Sequence, residues 1–230
     1  MSAWRDFPQR LSEACGCGAL VYSRQGYGGS DRAPLPRSAR FMHDAALTEL
    51  PEVLDRTGVR EAILVGHSDG ASIALIYAGS ESRPCPVRGL LLEAPHLFVE
   101  PVCLEAIAAA VRSYRSGDLR SALSRHHATD VDATFRGWSE VWLSPEFRDW
   151  DIEAILPRIA VPILALQGEE DAYGTLAQIE AIAARAGGFV ELVALAGCGH
   201  SPHRDQASRT LEAMASFVRR EILSGASRRL

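Results

Sequence analysis

Residues Gly66-His67-Ser68-Asp69-Gly70 follow the apolar run Ala62-Ile63-Leu64-Val65 and precede an Ala/Ile/Leu-rich stretch, Ala71 to Ala78. The pattern G-x-S-x-G places a serine on a sharp, strained turn between a buried strand and a helix. Gly66 and Gly70 are expected to remove Cβ atoms that would collide in so tight a turn. The helix that opens there aims free N–H groups and the positive end of its dipole at any negative charge forming beside the hydroxyl. A serine so placed suits acyl transfer. By itself the pentapeptide also fits an ordinary strand-to-helix turn, so the rest of the chain must supply the groups that activate it.

A serine hydroxyl is a weak nucleophile until a base takes its proton, and the base works best when a third group orients it. After the apolar run Pro162 to Leu166 comes Gln167-Gly-Glu-Glu-Asp171-Ala-Tyr-Gly174, and after the run ending at Leu195 comes Gly197-Cys-Gly-His200-Ser-Pro-His203. The order Ser68, Asp171, His200 puts each candidate just past the C-terminal end of a strand, where open α/β sheets build their sites. Asp171 sits among Glu169 and Glu170, and Glu170 is the alternative acid. His203 competes with His200 or forms half of a metal pair, although Ser-Pro between them and the lack of a nearby third ligand argue against zinc. No metal and no cofactor is expected. His96, His126 and His127 read as packing or surface histidines before substrate contacts. The loop Gly26-Tyr-Gly-Gly-Ser-Asp31 is no dinucleotide site, because Asp31 stands where G-x-G-x-x-G requires its third glycine.

The elements that must carry these residues are short Val/Ile/Leu runs alternating with helices, the pattern of a parallel sheet covered on both faces. Five runs are predicted strands: Ala19 to Tyr22, Ala62 to Val65, Gly89 to Leu92, Pro162 to Leu166 and Phe189 to Leu195. A helix is predicted from Asp44 to Arg56, with Leu47, Leu50 and Leu54 on one face, a kink at Pro51 and a stop at Gly58. Two closing helices follow near Leu176 to Ala186 and Asp205 to Ile222, the second with Leu211, Met214, Phe217 and Val218 as a stripe facing the sheet. The interval 96–156 is helical in pattern and carries Trp138, Trp142 and Trp150, which read as core before pocket. It is expected to be a helical cap inserted into a core formed by 1–95 and 157–230.

At 230 residues, with 47% hydrophobic and 23% charged side chains, the chain suits one α/β domain. Its formal net charge of -5, and the absence of a basic block before Arg228-Arg229, argue against nucleic acid. No window is long and apolar enough for a bilayer, the N-terminus lacks the apolar core of a signal peptide, and five cysteines read as free thiols. A cytoplasmic protein acting on a small molecule is expected, without nucleic-acid or membrane partners.

The loop Tyr22 to Asp31, the turn Gly66 to Gly70, Gly168-Glu-Glu-Asp171 and Gly199-His200 together resemble the α/β-hydrolase superfamily, in its serine-dependent, helical-cap branch of esterase-like and C–C-hydrolase-like bacterial enzymes. The resemblance runs through nearly the whole chain. It implies an α/β-hydrolase fold in which Ser68 is the nucleophile, His200 the general base and then acid, and Asp171 the partner fixing the histidine tautomer. The backbone N–H of Asp69 is implied as an oxyanion donor, leaving its side chain to the helix N-terminus. The implied reaction is hydrolysis of a small ester, thioester or lactone through an acyl-serine. Cleavage of a C–C bond, or an inactive hydrolase-fold protein, are the alternatives. The family usually has strands before the position of Trp4, ending in a His-Gly loop whose N–H is the second oxyanion donor. The chain is therefore expected to be N-terminally truncated, with a gap in the sheet between Ala19–Tyr22 and Ala62–Val65. Loss of one donor costs on the order of 10²- to 10³-fold in turnover.

Overall fold

The computed structural model describes residues 4–127 and 130–224; Met1 to Ala3 and the tail bearing Arg228-Arg229 lie outside the described residues. Four parallel strands, β1 (Ala62–His67), β2 (Val87–Glu93), β3 (Ile163–Gly168) and β4 (Val190–Leu195), pair in the order β1-β2-β3-β4. Alternation along the central strands divides the apolar side chains between two layers. Leu90, Leu92, Ile163 and Ala165 point into one core, while Leu91, Leu164 and Leu166 point into the other. That two-sided burial is why these runs read as continuous apolar segments.

On the first face lie a helical segment made of α2 (Phe41–Asp44) and α3 (Leu50–Arg56), then α4 (Asp69–Gly79) and later α8 (Ala177–Arg185). The second face is covered by α1 (Phe7–Cys15) and by α10 (Ala207–Phe217), with Met214, Phe217 and Val218 buried as the stripe predicts. Between β2 and β3 run α5 (Pro101–Ser116), α6 (Asp118–Ser124), α7 (Val131–Trp142) and two 3₁₀ turns, Pro145–Phe147 and Glu153–Arg158. The short α9 (Pro202–Asp205) leads into α10. All five cysteines are free.

Three local expectations are corrected. Ala19 to Tyr22 is not a strand: this segment makes no ladder with β1, which ends the sheet and leaves Val65 39% exposed. Extended backbone without a hydrogen-bonded neighbour has no ladder to define it. The helix before β1 starts at Phe41, and its irregularity lies in a π-helical stretch, Ala45–Glu49, just ahead of Pro51. Proline offers no N–H to the carbonyl four residues back, and a widened turn accommodates the loss. That widening rotates the register, so Leu50 and Leu54 are buried while Leu47 is 43% exposed. Finally, Phe189 stands just outside β4, 53% exposed and stacked on Phe217.

Candidate active site

The turn that carries Ser68 depends on a close approach of strand and helix. A Cβ on Gly66 would lie 2.5 Å from the Gly70 carbonyl oxygen and 2.6 Å from the Ala71 backbone, so only glycine fits. Gly70 is different: a Cβ there meets nothing outside its own helix, which corrects the expectation that both glycines relieve a collision. Ser68 sits at φ 55°, ψ -126°, a conformation costing a non-glycine residue about 1–3 kcal/mol. Its N–H bonds the Glu93 carbonyl at 2.9 Å, and its own carbonyl accepts from Ala71 and Ser72 in the first turn of α4. The chain is thereby bent so that the hydroxyl stands above the C-terminal edge of the sheet.

The loops after β3 and β4 bring the other two candidates to that hydroxyl. His200 Nε2 lies 3.0 Å from Ser68 Oγ, and His200 Nδ1 lies 2.9 and 2.8 Å from the two oxygens of Asp171. The loops touch closely: a Cβ on Gly168 would fall 2.2 Å from the carbonyl oxygens of both Cys198 and Gly199. The N–H of Glu170 completes the junction by bonding the Cys198 carbonyl at 2.9 Å. Glu169 and Glu170 point into solvent, and the buried acid is Asp171. Its side chain is fully covered, receiving N–H bonds from Tyr173 (2.8 Å) and Gln167 Nε2 (2.7 Å) in addition to the imidazole. The His200 side chain is 19% exposed, so the imidazole is reachable while the carboxylate beside it is not. With Nδ1–H donated to the carboxylate, Nε2 is left with a lone pair facing the hydroxyl, the arrangement proton transfer requires.

Asp69 opens α4, where the first N–H groups have no partner within the helix. Its carboxylate does not cap the helix, as the sequence suggested. It accepts from Trp142 Nε1 at 3.3 Å and faces the Arg24 guanidinium at 3.6 Å. Arg24 in turn lies over the Tyr27 ring, with Arg37 also 4.8 Å from that ring. The glycine loop 26–31 is thus a folded turn at the rim, closed by the Gly26 N–H to Asp31 carbonyl bond and tied to α7 by Thr134 Oγ1.

The remaining histidines divide. His203 is buried against Glu93, its Nδ1 2.7 Å from Oε2, and does not compete with His200 for Ser68. Among the described residues no cluster of metal-ligating side chains forms. His96 is buried behind the site, its backbone N–H and carbonyl both bonded to the Ser72 hydroxyl and its ring 5.9 Å from that of His200. Burial pushes its pKa down to about 3. His127 accepts from the Gly28 N–H, and His126 is exposed. Trp142 is both core and site, packed on Phe147 and on His96 while donating to Asp69. Sequence reasoning passed over Glu93, Gln167 and His67. The first two had a visible signal, a polar residue closing an apolar strand run that is buried on both faces.

A family model described as the alpha/beta hydrolase family matches residues 1–213. No curated protein sequence matches the chain. Among solved structures, VinJ is 22% identical with a TM-score of 0.72, the match covering 96% of this chain and 86% of that one. The thermophilic esterase of Thermogutta terrifontis is 21% identical (TM-score 0.68; 95% and 86% covered). The 2-hydroxy-6-oxo-6-phenylhexa-2,4-dienoate hydrolase of Rhodococcus sp. strain RHA1 is 16% identical (TM-score 0.75; 95% and 85% covered). At these identities the structural likeness speaks for the fold.

Proposed function

The chain belongs to the alpha/beta hydrolase family, and from that premise we propose that it hydrolyses a small ester, thioester or lactone through an acyl-serine intermediate, with Ser68, His200 and Asp171 as its catalytic residues. The observation that carries this reading is one imidazole held between a buried carboxylate and a hydroxyl at 3.0 Å. His200 Nε2 takes the Ser68 proton as Oγ attacks the carbonyl carbon, and the carbonyl electron pair moves onto oxygen. The Asp69 N–H, at the positive end of α4, meets that oxyanion. Collapse expels the leaving group, which takes the proton from His200. Water then repeats the sequence on the acyl-serine, and Asp171 stabilises the imidazolium each time it forms. The helices of 96–156 serve as the cap over this site, with Trp142 reaching down to Asp69, and the core is 1–95 with 157–230.

The test is covalent labelling by a fluorophosphonate followed by a panel of short-chain p-nitrophenyl esters, lactones and vinylogous diketones. Wild type is expected to be labelled and to turn over an ester or lactone, and Ser68→Ala to do neither. Turnover of the diketones alone would move the reading to C–C bond hydrolysis, the activity named for the Rhodococcus neighbour. Absence of labelling in the folded protein would leave an inactive hydrolase-fold protein.

A further inference from the structure

The imidazole of His200 can meet Ser68 only if the turn that carries it is fixed, and the fixing groups are two residues outside the proposed triad. His67 ends β1 immediately before the serine, and Glu93 ends β2 directly opposite, the two being register partners in the sheet. His67 Nε2 lies 2.6 Å from the backbone carbonyl of His200. A carbonyl only accepts, so the proton is on Nε2 and His67 is the donor. Glu93 Oε2 accepts the backbone N–H of His203 at 3.1 Å and lies 2.7 Å from His203 Nδ1. Adjacent strand ends thus grip the first and last residues of the His200–His203 turn.

The same two residues are bound to the nucleophile. His67 is joined to Ser68 by a peptide bond, and the Glu93 carbonyl accepts the Ser68 N–H at 2.9 Å. The clamp therefore has one jaw on the serine and one on the base, across a sequence separation of 132 residues. The packing holds it shut: the His67 ring lies 4.9 Å from that of His200 and 5.1 Å from that of His203, with Trp4 covering His203 at 4.4 Å. The Glu93 side chain is fully buried.

We propose that His67 and Glu93 are positioning residues that clamp the two ends of the His200–His203 turn to the nucleophile elbow, and thereby set the separation of His200 Nε2 from Ser68 Oγ. Neither touches substrate. His67 is a poor second base: its Nε2–H is given to the carbonyl, and burial and the neighbouring His200 hold its pKa down to about 3, so the remaining lone pair on Nδ1 stays unprotonated at working pH. The mechanical consequence rests on the reading of Ser68 and His200 as nucleophile and base, and its scale follows from how steeply reactivity falls with misplacement, on the order of 10²-fold for about 1 Å.

The discriminating variants are His67→Leu, which removes the donor, and His67→Gln, whose amide N–H reaches toward the same carbonyl. On a p-nitrophenyl ester His67→Leu is expected to lose roughly 100-fold in kcat with KM within about threefold, and His67→Gln to recover most of the loss. Glu93→Gln, which keeps an acceptor for the His203 N–H but not the carboxylate, is expected to fall between them. The second readout needs no substrate: the downfield NMR resonance of the His200 Nδ1 proton, identified by its loss in Asp171→Asn, should shift or broaden in His67→Leu and return in His67→Gln. If His67→Leu does not fold, His67→Asn, polar but too short to reach the carbonyl, takes its place with the same expectation. A folded donor-less variant with wild-type kcat and an unmoved resonance overturns the clamp, as does equal impairment of the Leu and Gln variants. If wild type itself neither hydrolyses esters nor takes the fluorophosphonate, the hydrolase reading fails, and the resonance alone decides for or against the clamp.

Discussion

Gly168→Ala tests whether the separation of two loops, rather than the mere presence of three side chains, governs this site. Gly168 ends β3, and a methyl group there would lie 2.2 Å from the carbonyl oxygens of Cys198 and Gly199. Ordinary carbon contacts begin near 3.4 Å, so the turn bearing His200 or the end of β3 must retreat by about 1.2 Å. The obstructing atoms are backbone, which has no rotamer to swing away, and overpacking of this kind costs about 1–3 kcal/mol. For a chain of this size that corresponds to a fall in Tm of roughly 2–12 °C. Cys198 and Gly199 directly precede His200, so the displacement is passed to a hydrogen bond now 3.0 Å long. A retreat of about 1 Å predicts a loss on the order of 10²-fold in kcat. Thermal melts and p-nitrophenyl ester kinetics measure the two effects on one preparation. Gly70→Ala is the control: nothing outside its helix obstructs the methyl, and replacing a helical glycine gains about 0.5–1 kcal/mol. Gly168→Ala with the Tm and kcat of wild type would refute the reasoning, since the loops would then be shown to yield without cost.

Acid should destabilise the fold through its buried histidines. His67 and His96 are held at about 3 in the folded state against 6.5 in an unfolded chain, so above pH 6.5 both states are neutral and nothing is lost. Between 6.5 and about 3 only the unfolded chain takes up the protons, and each histidine removes up to about 1.4 kcal/mol per pH unit; below about 3 the loss is complete. Urea midpoints across that window should fall less steeply in His96→Asn than in wild type, and identical slopes would count against the assignment. Trp142→Phe deletes the N–H that Asp69 accepts at 3.3 Å, leaving a buried carboxylate with Arg24 at 3.6 Å. A destabilisation of about 1–3 kcal/mol is expected by urea unfolding, and an unchanged midpoint would show that the bond contributes nothing.

The strands β2 and β3 were legible because both their faces are buried, so the periodicity that usually divides a strand into inside and outside is replaced by a continuous apolar run. Ala19 to Tyr22 offers the same composition and forms no ladder. Composition reports what a segment can bury, whereas pairing depends on whether another strand lies alongside. The helix before β1 shows the converse limit. Leu47, Leu50 and Leu54 fit a regular 3.6-residue period, and the widened turn ahead of Pro51 moved Leu47 out of the buried face. Proline marked the place of the irregularity in advance but not its form.

Within the site, Ser68, Asp171 and His200 stood out because each follows an apolar run and belongs to a residue type with few other reasons to sit in a glycine-rich turn. The residues that hold them were harder to see, and for a physical reason. His67 acts through the backbone of His200, and a carbonyl is present at every residue, so nothing about position 200 announces that its carbonyl is held. Glu93 acts through a backbone N–H and an imidazole that looked like a rival base. Only topology reveals such contacts, because the register of β1 on β2 sets His67 opposite Glu93, and the crossing of the β3 and β4 loops puts residues 200 and 203 within their reach. Groups that meet a reacting atom must have particular side chains, which a sequence displays. Groups that fix the backbone need only a donor or acceptor at the right point in space, and that point exists only after the sheet has formed.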